Sequence, residues 1–229
     1  MKTINNILKF IALLLLYILF ANIPIIFLSM IGIDYTNWPP LIKYSYMFIC
    51  NIVTMIIIMG IYYKTLKNDF KNFYNKDFLN NLETPFKYWL LGFIVMIISN
   101  LILGIITKGI AGNEEAVRDL MKQAPIYMAF DICIYAPILE ELIFRKSIRD
   151  ITNKKWLYVL LSGLIFGFLH VIGTLSDPID LLYLIPYSSV GLAFAYTYYK
   201  TNNIYSTITM HFLHNTMSFI LLILAGTAG

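Results

Sequence analysis

Apolar residues along this chain fall into seven long stretches, at about 7–33, 41–63, 88–107, 124–145, 156–173, 179–199 and 204–225, with short polar segments between them. Each is close to the roughly 20 residues that a helix needs to cross the hydrocarbon core of a bilayer. Backbone N–H and C=O groups in lipid must find partners within their own segment, so the stretches are predicted to be helices. The expected fold is therefore all-α, a polytopic membrane bundle of about seven spans. Eight result if the segment 177–200, interrupted by Pro186, is two short pieces. Behind Lys2 and Lys9 the uncharged run continues from Phe10 to Ile33, longer than the apolar region of a signal peptide, which predicts a retained first span. No internal repeat or low-complexity tract is visible.

The segments between spans add detail. Leu66, Phe70, Phe73, Tyr74 and Phe78 recur with helical spacing among lysines, the pattern of an amphipathic helix lying on the membrane surface. Asn113-Glu114-Glu115 opens a short polar helix, with Asn113 expected as its N-cap.

Composition agrees with this reading. Apolar residues make up 59% of the 229 positions and charged residues 13%, about half the charged share of soluble domains. So much apolar surface exceeds what one small aqueous core can hide. The net charge of +4 is not a nucleic-acid footprint, because the basic residues lie between apolar runs rather than on one stripe. With the N-terminus in the cytosol, thirteen Lys and Arg fall on the cytosolic side and four (Lys43, Lys108, Arg118 and Lys122) outside. The expected localisation is a multi-pass cell membrane protein in contact with lipid. Cys50 and Cys133 both sit in apolar runs and read as small buried hydrophobes.

Ionisable groups inside spans are costly and mark function. Glu140, Glu141 and Arg145 lie on the fourth stretch, His170 at the end of the fifth, and His211 and His214 on the last. Glu141 and Arg145 are four apart and share a face, so they can pair; Glu140 points about 100° away and is left free. His211 and Asn215 are also four apart. At a rise of about 1.5 Å per residue, Glu140, His170 and His211 lie roughly 16, 22 and 12 Å from the cytosolic boundary, so groups from three separate spans are expected to meet inside the bilayer. Asp131, nine residues before Glu140, is expected on the opposite helix face, towards the outer interface. Asn51 and Asn100 read as interhelical hydrogen-bonding groups.

A desolvated carboxylate beside an imidazole can hold and deprotonate a water, and His211 with Asn215 offers donors to a developing oxyanion. That set points to hydrolysis of a carbonyl compound such as a peptide bond. Arg145 neutralises Glu141 in this reading, and Phe166 packs. The competing chemistry is zinc held by Glu140, His170 and His211 with an open fourth position. No HExxH sequence is present, and metal-free water activation is the favoured alternative.

The order Glu140-Glu141-x-x-x-Arg145, then Phe166-x-x-x-His170, then His211-x-x-x-Asn215 resembles the three motifs of the CAAX protease and bacteriocin-processing (CPBP, or Abi) intramembrane proteases. The resemblance covers about residues 124–219 and divides the chain into N-terminal membrane helices (1–122) and a catalytic core (123–225). It implies a helical membrane endopeptidase in which Glu140 and His170 activate water and His211 and Asn215 form the oxyanion hole. The implied substrates are peptides or membrane-anchored proteins: prenylated CAAX proteins, leader or signalling peptides, or bacteriocin-related targets. The family is commonly labelled a metalloprotease, although its mechanism resembles a glutamate protease. His214 departs from the family pattern and is expected to hydrogen-bond within the bundle. Two rivals use the same residues: a non-catalytic, immunity-type binder that holds a toxin peptide, and a proton-coupled transporter with Glu140 and the histidines as relay. Inverted repeats or paired broken helices would mark the transporter, and neither is seen.

Overall fold

The computed structural model describes residues 2–224 and residue 226, so Ala225, the expected last residue of the final stretch, lies outside the described residues. Every regular element among them is helical. Helix α1 (Lys2–Leu19) is followed after a two-residue turn by α2 (Asn22–Met30). The apolar stretch at 7–33 is thus two helices rather than one span. Pro24 gives the reason: it has no N–H to offer the carbonyl of Phe20, so the first helix cannot run through it. Helix α3 (Pro40–Ile61) starts on a proline, which tolerates a first-turn position because its missing N–H would have no helical partner there.

Helix α4 (Tyr63–Phe73) is the amphipathic segment. Leu66 and Phe73 are buried while Phe70 and Tyr74 stay exposed. The segment does more than lie on a surface. Asp69 accepts a hydrogen bond from the Ile204 backbone N–H (2.8 Å), and its carbonyl accepts one from Asn203 Nδ2 (2.8 Å), so α4 caps the start of the final helix. Helix α5 (Phe78–Thr107) begins ten residues before the apolar stretch it contains and carries Pro85 in its interior. It stops where Lys108 adopts a left-handed conformation, φ 55°.

Helix α6 (Gly112–Gln123) has Ala111 at its N-cap and no side-chain cap. The expected cap, Asn113, lies one residue inside the helix and reaches the Tyr187 hydroxyl instead (3.4 Å). The fourth apolar stretch becomes a continuous helix over residues 125–151, here α7, in which two wide π-helical segments, Asp131–Tyr135 and Glu141–Ser147, interrupt the α-helical turns. Helix α8 (Lys155–Ile172) follows. A 3-10 turn (Pro178–Tyr183) then runs directly into α9 (Leu184–Thr201). Pro186 sits in the first turn of α9, where no helical N–H is needed, so this region is one span and the eight-span count does not arise. Asn202 ends α9 at φ 48°, a conformation its short polar side chain tolerates, and α10 (Ile204–Leu224) begins two residues later.

Six helices among the described residues are long and apolar enough to cross a membrane: α1, α3, α5, α8, the run 178–201, and α10. The seventh expected span is α7, whose charged groups and wide turns set it apart. Helix α9 packs along α8 on one side and α5 on the other. Small residues make this possible. A Cβ on Gly167 would stand 2.2 Å from Ser188 Oγ and 2.8 Å from the Ser188 backbone N, and one on Gly92 would stand 2.6 Å from Ala193 Cβ. Close backbone approach of this kind is how helices associate when lipid is as apolar as the side chains. The main core gathers around the buried half of α7, with Leu139, Leu142, Ile143 and Phe144 packed against α1, α3, α8, α9 and α10.

Candidate active site

The site is built on α7. Glu141 is fully buried, and each of its carboxylate oxygens has a named partner: Arg145 Nε donates to Oε2 (2.9 Å) and His211 Nδ1 donates to Oε1 (2.9 Å). Arg145, equally buried, continues the chain by donating from Nη1 to Ser162 Oγ (3.0 Å) and to the Ser162 carbonyl (3.2 Å). Its guanidinium also lies over the Phe166 ring, 4.7 Å from the centroid. The Glu141–Arg145 pair expected from spacing is therefore present and has extra partners on α8 and α10. Among the described residues Arg145 Nη2 alone of the pair's side-chain polar atoms has no hydrogen-bond partner, and a buried ion pair is stabilising to the extent that such groups are met.

Glu140 faces elsewhere. Its Oε1 accepts from the Tyr17 hydroxyl on α1 (2.9 Å), and its Oε2 stands 3.8 Å from His211 Nε2. His211 is buried between the two adjacent glutamates, with one ring nitrogen on each. Since Nδ1 donates to Glu141, Nε2 is the nitrogen presented to Glu140 and to whatever binds beside it.

Asn215 is tied to α7 through its side-chain amide, which donates from Nδ2 to the Ile132 carbonyl (2.9 Å). The local sequence explains why that carbonyl is available. In the wide segment the Ala136 N–H bonds to the Asp131 carbonyl, five residues back. The same register would pair Ile132 with residue 137, which is proline and has no N–H. Asn215 supplies the missing donor and locks α10 onto the wide turn.

His170 is placed differently from the expectation. Its Nδ1 donates to the Phe166 carbonyl (2.8 Å), four residues back on α8, and its ring stacks on Tyr187 with centroids 5.1 Å apart. It lines a small recess with Asn113, Thr174, Asp180, Tyr183 and Tyr187. Phe166 is the neighbour it shares with His211, its ring lying 4.3 Å from His170 and 5.9 Å from His211. The imidazole that stands beside Glu140 is His211.

His214 points away from this cluster. Trp89 Nε1 donates to its Nδ1 (3.3 Å), and Phe93 packs edge-on at 5.7 Å, so it joins α10 to α5 within the bundle. Among the described residues no three His, Cys, Asp or Glu side chains are grouped as a metal ion would need. Glu140 and His211 would offer two of the expected ligands; His170, the third, is turned to Phe166 and Tyr187.

Two groups were not anticipated in the site from sequence. Tyr17 is one of 17 tyrosines, sits in an unbroken apolar run, and gives no signal in the linear sequence. Asp131 was assigned to the opposite face, and that assignment is corrected: it lies inside the bundle, hydrogen-bonded by Asn51 Nδ2 (2.7 Å) from α3. The nine residues to Glu140 would give half a turn in a regular α-helix. The wide segment between them takes up one extra residue, which rotates Asp131 back by about 100° towards the Glu140 side. Asn51 makes the interhelical contact its place in a span implied.

Residues 122–217 match the family model of the type II CAAX prenyl endopeptidase Rce1-like proteins. The chain is also similar to a Bacillus subtilis (strain 168) protein named "Putative membrane peptidase YdiL", at 29% identity over 181 residues, covering 75% of this chain and 67% of that one. Two Lactococcus lactis subsp. lactis (strain IL1403) proteins, UPF0177 protein YvdC and UPF0177 protein YxdF, align at 25% and 26% identity over 58% and 60% of this chain, and over 51% and 78% of their own lengths. No solved structure matches the chain.

Proposed function

We propose that this chain, whose residues 122–217 match the Rce1-like type II CAAX prenyl endopeptidase family model, is an intramembrane endopeptidase with Glu140 as its base. The observation that carries the reading is the facing pair on α7 and α10: Glu140 Oε2 and His211 Nε2 are 3.8 Å apart inside the bundle, each held from behind, by Tyr17 and by Glu141. A water bridging the two atoms at about 2.8 Å from each fits that spacing.

In the proposed reaction Glu140 takes a proton from this water as its oxygen attacks the scissile carbonyl. The carbonyl π electrons move onto oxygen. In this reading His211 carries a proton on each ring nitrogen, with Nδ1–H on the Glu141 carboxylate, and donates from Nε2 to that oxyanion. Glu140 then passes its proton to the amide nitrogen, the C–N bond breaks, and acid and amine products leave. Asn215 holds the wide turn of α7 and so sets the aim of Glu140. His170, one ring away across Phe166, lines the small recess with its Nδ1 on the Phe166 carbonyl, and no step is assigned to it. The donor set does not gather a third ligand at Glu140 and His211, so no step is routed through zinc. Substrates in this reading are peptides or protein tails in the membrane, and the lysine-rich end of the bundle, with the N-terminus, faces the cytosol.

Comparative peptidomics of membranes from cells expressing wild type or Glu140→Gln identifies the cleaved bond. A synthetic peptide spanning that bond is then assayed with purified protein in liposomes. Glu140→Gln is expected to lower kcat by about 10²- to 10⁴-fold with the fold intact. Cleavage at the wild-type rate by Glu140→Gln defeats the mechanism. Loss of wild-type activity on chelation, restored by zinc, replaces it with the metal reading.

A further inference from the structure

The first span lies outside the matched region 122–217, yet it makes a direct polar contact with the proposed base. Three features fix the register of α1 on α7. At the lysine-rich end, Asn6 Nδ2 donates to the Asp150 carbonyl. Lys9 lies over the Tyr62 ring, 3.9 Å from its centroid, and Lys146, paired with Asp150, approaches the same ring. Further along, the Tyr17 ring stacks on Tyr135 of α7 with centroids 5.8 Å apart and planes 23° apart. Two of these contacts are polar or cationic and sit at the membrane boundary, and the third is a stack within the bundle. Together they hold the Tyr17 hydroxyl at 2.9 Å from Glu140 Oε1.

A carboxylate side chain on a helix has freedom about its terminal torsion, which is broad and roughly two-fold. Glu140 has no other side-chain donor among the described contacts at Oε1, and the partner at Oε2 is His211, at a distance too long for a direct hydrogen bond. The Tyr17 contact is what selects one orientation of that group. We infer that Tyr17 is a positioning residue for Glu140: its hydroxyl pins one carboxyl oxygen so that the other faces His211, and the catalytic site is complete only with the first span in place. This rests on the reading of Glu140 as the base.

The test uses the full chain in liposomes and two readouts, one of them independent of proteolysis. The first is kinetics on the peptide identified as cleaved by wild type. Tyr17→Phe keeps the ring and its stacking on Tyr135 and removes only the donor. It is expected to lower kcat by about 10- to 100-fold, the value of one hydrogen bond to a charged group, with KM within about twofold. Tyr46→Phe is the control. Its hydroxyl donates to the Ala21 carbonyl (2.7 Å) and braces the same N-terminal region without touching the site, so its loss is expected to leave kcat unchanged. The second readout is infrared difference spectroscopy, in which the Glu140 carboxyl band is assigned by subtracting the Glu140→Gln spectrum. That band is expected to shift in Tyr17→Phe and to stay in Tyr46→Phe. A wild-type kcat in Tyr17→Phe overturns the inference, as does an unmoved Glu140 band, as does an equal loss in Tyr46→Phe. A shifted band together with a wild-type protein that cleaves nothing removes the protease reading and upholds the anchor.

Discussion

Helix α1 and the buried half of α7 are the two extremes of this bundle, and they invert the rule that holds in water. In α1 only 6% of the span is buried within the protein, and Ile4, Leu8 and Leu15 face outward. In α7 the residues from Leu139 to Ile148 are buried with the exception of Lys146, and they include two glutamates and an arginine. The more apolar helix is the outer one, and the more polar helix is at the centre. Lipid solvates leucine as well as a core does, so apolar burial does not sort the helices; the need to pair charge does. Position in the bundle follows from which segment carries groups that lipid cannot accept.

Arg145 offers the strongest way to break that comparison. Arg145→Ala leaves the fully buried Glu141 carboxylate without its cation, and a loss of about 3–5 kcal/mol is expected. Thermal unfolding in detergent measures it. A change under about 1 kcal/mol means that polar pairing is not what places α7 at the centre. A smaller effect tests close approach. Gly167→Ala forces a Cβ into Ser188 and is expected to cost about 1–3 kcal/mol, whereas Gly60→Ala on α3, where nothing stands within 4 Å, is expected to be neutral or stabilising by up to about 1 kcal/mol. Equal effects at the two glycines would show that backbone contact between α8 and α9 is not limiting.

Asp69→Ala removes the cap that α4 lends to α10, with an expected cost of about 1 kcal/mol. Burial raises the Asp69 pKa, against the opposing pull of the Ile204 N–H and the Lys146 charge. Hydrogen exchange at the first turn of α10 reports it locally, and unchanged protection there refutes the cap. At the far end of the scale, Leu15→Ala on the outer face of α1 is expected to shift stability by less than about 0.5 kcal/mol, read by the same unfolding assay. A larger cost would place that face against protein rather than lipid.

Much of the bundle was legible without coordinates because crossing a bilayer takes a fixed length of apolar helix. Six of the seven stretches contain a helix able to cross, and the errors are informative. Pro24 splits the first stretch by removing a donor, and Pro186 fails to split the sixth because it falls in a first turn. Of the expected site groups, Glu140, Glu141, Arg145, His211 and Asn215 gather on α7 and α10, while His170 stands one ring apart. The pairing of Glu141 with Arg145 followed from spacing alone. The face of Asp131 did not, because an inserted residue in a wide turn has no mark in composition or periodicity.

What the amino-acid sequence determined by itself is the solvent and the inventory: apolar run lengths demand a bilayer, and the few ionisable side chains within them must find one another. Which of them meet was decided by tertiary structure alone. A wide turn rotates α7 by about one residue, Asn215 reaches a carbonyl that Pro137 leaves without a donor, and Tyr17 comes from a helix 123 positions away. These contacts depend on relative rotation and depth of packed helices, which are set by side chains meeting across interfaces and not by any pattern within one segment.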